Sequence, residues 1–215
     1  MRMKKDVIFA VGLVLAIVIS NTYGLVHDGR NLDRLRGSVL RLHILADSDS
    51  ERDQQLKLNV RDALLESGIL EGADSLSEAE NIAEEKLSDI ERIAEAVLRA
   101  NGCELDVEAE LADTEFDVRT YGDITMPSGT YRALRVKIGS AEGHNWWCVM
   151  YPSLCVPVAS EITDNKQAEL DAFDDEQLDI MYKPEKYEIR FAIWDKIKEL
   201  RKRMVVQNDE NIACS

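Results

Sequence analysis

The chain has 215 residues, 45% of them hydrophobic, which is enough apolar material for one sizeable core and excludes disorder throughout. Its 26 basic residues stand against 41 acidic ones, and three of those cations lie within the first six residues. A body this acidic repels nucleic acid and anionic lipid head groups, so no nucleic-acid partner is expected.

The opening segment "MRMKKDVIFAVGLVLAIVISNTYG" sets Arg2, Lys4 and Lys5 ahead of an apolar run from Val7 to Ile19. Such a run fits the core of a signal peptide, about 7–15 residues, and falls short of the roughly 20 that span a bilayer. No small-x-small cleavage site follows, and Ser20 to Val26 is mild enough to lengthen the run into an anchor. Residues 1–26 are therefore read as a signal peptide or membrane anchor, with the cations in the cytoplasm and the remainder exported.

Residues 38–204 read as a single α+β domain. Ser38 to Ala46 is a strand with Leu40, Leu42, Ile44 and Ala46 on one face and Val39, Arg41, His43 and Leu45 on the other. An acidic junction, Asp47 to Asp53, leads into a helix with Leu56, Val60, Ala63 and Leu64 at helical spacing, stopping near Gly68. A second, longer helix follows, from a capping box at Ser75 and Glu78 along a stripe from Ala79 to Leu98, and Gly102 closes it. The period then changes to two: Cys103, Leu105, Val107, Ala109 and Leu111 point inward while Glu104, Asp106, Glu108 and Glu110 face water. Further strands are expected in "FDVRTY", "YRALRVKIG" and "NWWCVMY", with turns at Pro127–Gly129 and Gly139–Asn145. An acidic excursion occupies 161–186, Ile189, Ile193, Ile197, Leu200 and Met204 set a last amphipathic helix, and 205–215 is read as a flexible tail. The expected architecture is a two-layer domain, mainly an antiparallel sheet packed against two or three helices.

The junction is the one place where several chemistries compete. Asp47, Asp49, Glu51 and Asp53 alternate like the start of a calcium loop, but Arg52 and Leu58 occupy the positions of its turn glycine and bidentate glutamate. No C-x-x-C or H-x-x-x-H pairing offers a zinc site, and no cofactor is expected. A helix start explains more: Ser48 with Glu51, or Ser50 with Asp53, caps the helix while carboxylates face its positive end. A hydrolase would recruit His43 as base with Asp47 or Asp49 as its orienter, yet no nucleophile motif accompanies them. Because the acids exceed what capping needs, Asp47, Ser48 and Asp49, with Arg41 and His43 beside them, are also expected to form part of an exposed partner-binding surface. Trp146 and Trp147, adjacent on a strand, point opposite ways, so one joins the core and the other is available to a partner. In an exported chain Cys148 and Cys155, with Pro152 between them, are spaced for a short disulfide loop, whereas Cys103 and Cys214 have no comparable context.

The stretches "LRLHILADSDSERDQQLKLNVRDALL", "TYGDITMPSGTYRALRVKIGSAEGHNWWCVMYPSLCV" and "KYEIRFAIWDKIKEL", behind an N-terminal export segment, resemble the stage II sporulation protein R family. The resemblance runs from about Val39 to Leu200, with long motifs in the family's order. It implies a non-enzymatic signal, secreted by the forespore into the intermembrane space, where it triggers a membrane-embedded protease that removes the pro-sequence of sigma E in the mother cell. Where the family commonly has Asn in the Asn-Ser-Asp-Ser loop, this chain has Asp47, which weakens that residue as an obligate base. The competing readings are an exported hydrolase using His43 and Asp49, and a generic acidic cell-surface binding module.

Overall fold

The computed structural model describes residues 2–153 and 172–213, with side chains described from 11 to 204 of these. The described chain divides into two compact units, one made of Arg36–Val118 with Ser128–Asp174, the other of Met1–Leu35, Arg119–Pro127 and Asp175–Ser215.

The first unit is a two-layer α+β structure. Its strands are β1 (Leu40–Leu45), β2 (Val107–Phe116), β5 (Gly129–Ile138) and β6 (Asn145–Tyr151), in the order β2-β5-β1-β6. Two of the three pairings are antiparallel, as expected for the sheet as a whole, and β1 with β5 is parallel. That parallel pair requires a crossover, which three helices supply: α2 (Glu51–Glu66), α3 (Leu76–Glu85) and α4 (Leu87–Ala100). Alternation along the strands gives the sheet its two faces. Leu40, Leu42 and Ile44, with Leu134 and Val136 beside the latter two, form the face toward the helices and are all fully buried. Leu56, Val60 and Leu64 of α2 and Ile90, Ala94 and Leu98 of α4 bury their stripes in the same core.

The single long helix expected from Ala79 to Leu98 is broken at Lys86, whose backbone (φ −101°, ψ 12°) leaves the helical region. Its ammonium donates to the carbonyl of Ile69 at 3.0 Å, a tie that holds the bend between the two pieces. The Ser75 cap is present: Ser75 Oγ accepts from the Glu78 amide at 3.2 Å while the Glu78 carboxylate accepts from the Asp74 amide at 3.0 Å. The expected strand at Cys103 starts at Val107, with Val107 and Ala109 buried and Leu111 packed near Leu40, Ala79 and Ala83.

The second unit joins α1 (Arg2–Arg36), a hairpin of β3 (Arg119–Tyr121) and β4 (Ile124–Met126), α5 (Asp175–Tyr182), a 3-10 turn at Pro184–Lys186 and α6 (Glu188–Ala213). Its buried residues include Leu32, Leu35, Ile124, Met126, Ile180, Met181, Tyr187 and Phe191. α1 is unbroken through Ser20–Val26, and Val11–Arg36 is long and apolar enough to cross a membrane. Val11 and Leu13 to Ile19, apart from Ala16, are each more than half exposed, whereas Leu32 and Leu35 near the other end are fully buried. α6 continues to Ala213, past the point where a flexible tail was expected. Of the acidic excursion, 161–171 lies outside the described residues while the rest holds α5 and the 3-10 turn; Cys155 and Cys214 also lie outside them, and with them the Cys148–Cys155 pairing.

Candidate functional site

Everything singled out in the sequence between Arg41 and Asp53 belongs to the first unit, but it falls into two arrangements. Arg41 and His43 sit on the sheet face opposite the helices. Register places Ala133, Arg135 and Lys137 of β5 and Val149, Trp147 and Asn145 of β6 beside them on that face. Arg41 and His43, expected beside the exposed junction as part of its partner-binding surface, are themselves only 0% and 4% exposed. The reason is an aromatic layer that local periodicity cannot show. The Arg41 guanidinium carbon lies 4.0 Å from the Phe116 ring centroid and 4.8 Å from that of Tyr131. His43 stacks on Trp147, with centroids 3.8 Å apart and planes within 10°. Phe116 meets both Trp147 and Tyr131 edge to face, at 4.6 and 5.5 Å.

This setting fixes the state of His43. Burial, then the cations Arg135 and Arg41, lowers its pKa from 6.5 to about 4, with the Asn145 side chain opposing in part. The imidazole is therefore neutral at physiological pH. Next to it Glu110 bridges Arg135 at 2.8 Å and Lys137 at 2.9 Å, so these two cations are paired across strands.

The junction itself is a clamp between the end of β1 and the turn joining β5 to β6. Asp47 Oδ1 accepts from the Ser140 amide at 2.6 Å, and the Ser140 hydroxyl donates back to the Asp47 carbonyl at 2.8 Å. The Gly143 amide donates to Ala46 O at 2.9 Å. Asp49 Oδ1 accepts from the His144 amide at 2.6 Å and also contacts His144 Nδ1. These hydrogen bonds from His144 hold the Asp49 carboxyl below its ordinary pKa. Two glycines make the fit possible: a Cβ on Gly139, whose φ is +57°, would overlap the Asp47 carboxylate, and one on Gly143 would overlap the Ser48 carbonyl. From α2, Gln54 donates to Ser48 O at 2.9 Å and Lys57 to His144 O at 2.8 Å.

The helix start resolves the choice between caps. Ser50 is the N-cap, its Oγ accepting from the Asp53 amide at 3.1 Å, while Ser48 accepts from the Ser50 amide at 3.2 Å and its hydroxyl meets the Asp53 carboxylate. The His43–Asp49 arrangement that a hydrolase would need is not formed, because His144 holds Asp49 and Trp147 covers one face of His43.

The two tryptophans do point opposite ways, opposite Ile44 and His43 respectively. Trp146 lies on the helix side under Arg61, whose guanidinium carbon is 4.2 Å from its ring. Cys148, also on that side, is buried, and both tryptophans are half-buried. Sequence reasoning missed Phe116, Tyr131 and Arg135 on the aromatic face and Ser140 and His144 in the clamp. The glycine spacing of Gly139 and Gly143 was a signal for the turn, though not for what it grips.

The class the structure defines is an α+β protein with a mixed four-stranded sheet packed against helices, together with an N-terminal helix long and apolar enough to fit a signal or anchor segment. Residues 36–161, more than half of the chain and most of the first unit, match the family model for stage II sporulation protein R. The chain is also 36% identical over 119 residues to the stage II sporulation protein R of Bacillus subtilis (strain 168), covering 54% of this chain and 53% of the relative. It thus spans about half the length of that curated relative. The chain belongs to the stage II sporulation protein R family. No solved structure matches it.

Proposed function

We propose that this chain is the sporulation signal its family membership implies: made in the forespore, exported into the intermembrane space, and activating a septal membrane protease that processes pro-sigma E in the mother cell. The observation that carries this reading is the family match over 36–161, joined to an N-terminal helix with a cationic start and an exposed apolar run from Val11 to Ile19. Those features support export or anchoring of the body outside the cell that makes it. In this reading the protein is a ligand rather than a catalyst. Its partner-facing surface includes the rim of the clamp at Asp47, Ser48 and Asp49, together with Trp147, while Trp146 packs on the helix side under Arg61. Arg41 and His43 contribute from beneath, by holding Trp147 and the sheet face in place.

Co-expression with the protease and its pro-sigma substrate in a non-sporulating host tests the proposal. Processing is expected only when this chain is present and exported. A chain lacking Val7 to Ile19 that still triggered processing across the membrane would end it. Asp49→Asn is expected to lower processing while the purified chain keeps its unfolding midpoint.

A further inference from the structure

α6 has two apolar faces, and the second unit uses only one. Tyr187, just before the helix, and Phe191 are buried, whereas Ile189, Ile193, Ile197, Leu200 and Met204 are 77%, 46%, 43%, 48% and 64% exposed. From Ile193 onward these residues advance by four, three and four positions, the spacing of a helix–helix seam. Lys196, Arg201 and Arg203 border the seam. Glu199 pairs with Lys196 at 2.7 Å and Arg203 at 2.5 Å, which leaves the border net positive. Glu188 to Met204 holds six Lys and Arg against three Asp and Glu, in a chain whose net charge is −15.

We propose that this face docks an amphipathic helix of a partner protein whose own apolar seam is bordered by Asp and Glu. The surface lies outside the residues of the family match and the inference does not depend on protease activation. Charge disfavours a second copy of this chain. In a parallel pair Lys196 of one seam would face Arg201 of the other, and an antiparallel pair would again oppose cation to cation. Geometry disfavours a lipid surface. Within the unit α6 is fastened to α1 by Arg190 with Asp28, by Trp194 Nε1 with Asp33 at 3.1 Å and by Lys198 with Asp33 at 2.8 Å. These contacts advance in the same direction along both helices. α6 therefore rises alongside α1, away from the Val11–Ile19 run, instead of lying across the plane where that run would enter a bilayer. A helical partner standing beside α1 can cover the seam along its length.

The test titrates the full chain, in phosphatidylcholine nanodiscs, with two synthetic helical peptides that share an Ile/Leu seam and differ only in having Glu or Lys at its borders. The Glu peptide is expected to bind about tenfold or more tightly than the Lys peptide. Leu200→Asp, at an exposed position, should remove that binding, and Lys196→Glu with Arg201→Glu and Arg203→Glu should invert the preference. Circular dichroism of the variants checks that the helices persist. Equal affinity for the two peptides, or no binding of the Glu peptide, overturns the proposal. So does sedimentation showing a dimer that Leu200→Asp dissociates, or protection of the seam from hydrogen exchange by phosphatidylglycerol nanodiscs without any peptide.

Discussion

Arg41–His43 and Asp47–Asp53 are neighbours in sequence, both interrupting an apolar pattern, and they end in opposite environments. The first pair is enclosed by rings from β2, β5 and β6. The second stretch stays at the surface and fastens the turn that follows β5. What separates them is the kind of group each meets. A guanidinium and an imidazole have flat faces that aromatic rings can cover, so burial is tolerated. Carboxylates need donors, and they find them in the backbone amides of Ser140 and His144. A charged residue's exposure is thus decided by partners some 70 to 100 residues away in the sequence.

The sharpest way to break this comparison is Arg41→Ala. Removing a fully buried side chain that spans two rings should cost about 3–4 kcal/mol, read as a lower urea midpoint, through the cavity left and the lost cation–π contacts. A variant as stable as the wild type would mean that the contacts of Arg41 with Phe116 and Tyr131 do not hold this face together.

His43 gives the next largest effect, and its sign is determined. Its folded pKa of about 4 lies below the ordinary 6.5, so the unfolded chain takes up a proton first as pH falls. Stability from this group is complete above pH 6.5, declines between 6.5 and 4, and levels off below 4, a loss of up to about 3 kcal/mol. His43→Phe keeps a ring against Trp147 and removes the proton. Urea unfolding at pH 7 and pH 4.5 should therefore show a smaller acid loss in the variant than in the wild type. Equal losses would show that the wild-type decline comes from other groups.

The two stretches also mark how far the sequence could be read. Periods of two and 3.6 revealed β1, α2, the inward side of β2 and the α+β class, because those patterns are local records of burial. They overlooked the break at Lys86, since the apolar stripe continues across it and the Lys86 contact with Ile69 reaches outside the helix. They also could not show that 119–127 leaves the sheet to form a hairpin in the other unit, although strand character was visible there. Of the site, the opposite directions of Trp146 and Trp147 and the helix start were legible. The burial of Arg41 and the grip of Asp47 on Ser140 were not, because each depends on long-range pairing.

Asp47→Ala tests the surface half of the comparison. It deletes the acceptor for the Ser140 amide but leaves Asp49 on His144, so a loss of about 1–2 kcal/mol is expected. Slow-exchanging amides should become fast at Ser140 and stay protected within β5. Asp47→Asn retains an acceptor oxygen, so it should recover most of the loss. If the amide variant were as damaged as the alanine variant, the carboxylate's charge and not its hydrogen bond would be holding the turn.

The smallest effect discriminates between the two caps. Ser50 accepts directly from the Asp53 amide, one of the orphan donors of the first turn of α2, so Ser50→Ala should cost about 1 kcal/mol. Ser48 accepts instead from the Ser50 amide, outside the helix, and its hydroxyl reaches only the Asp53 side chain. Ser48→Ala should therefore cost less, roughly 0.5 kcal/mol, as expected for an exposed turn hydrogen bond. Thermal or urea midpoints measured side by side give the order. A larger loss at Ser48 than at Ser50 would move the start of α2 two residues earlier and make Ser48, with Glu51, the cap.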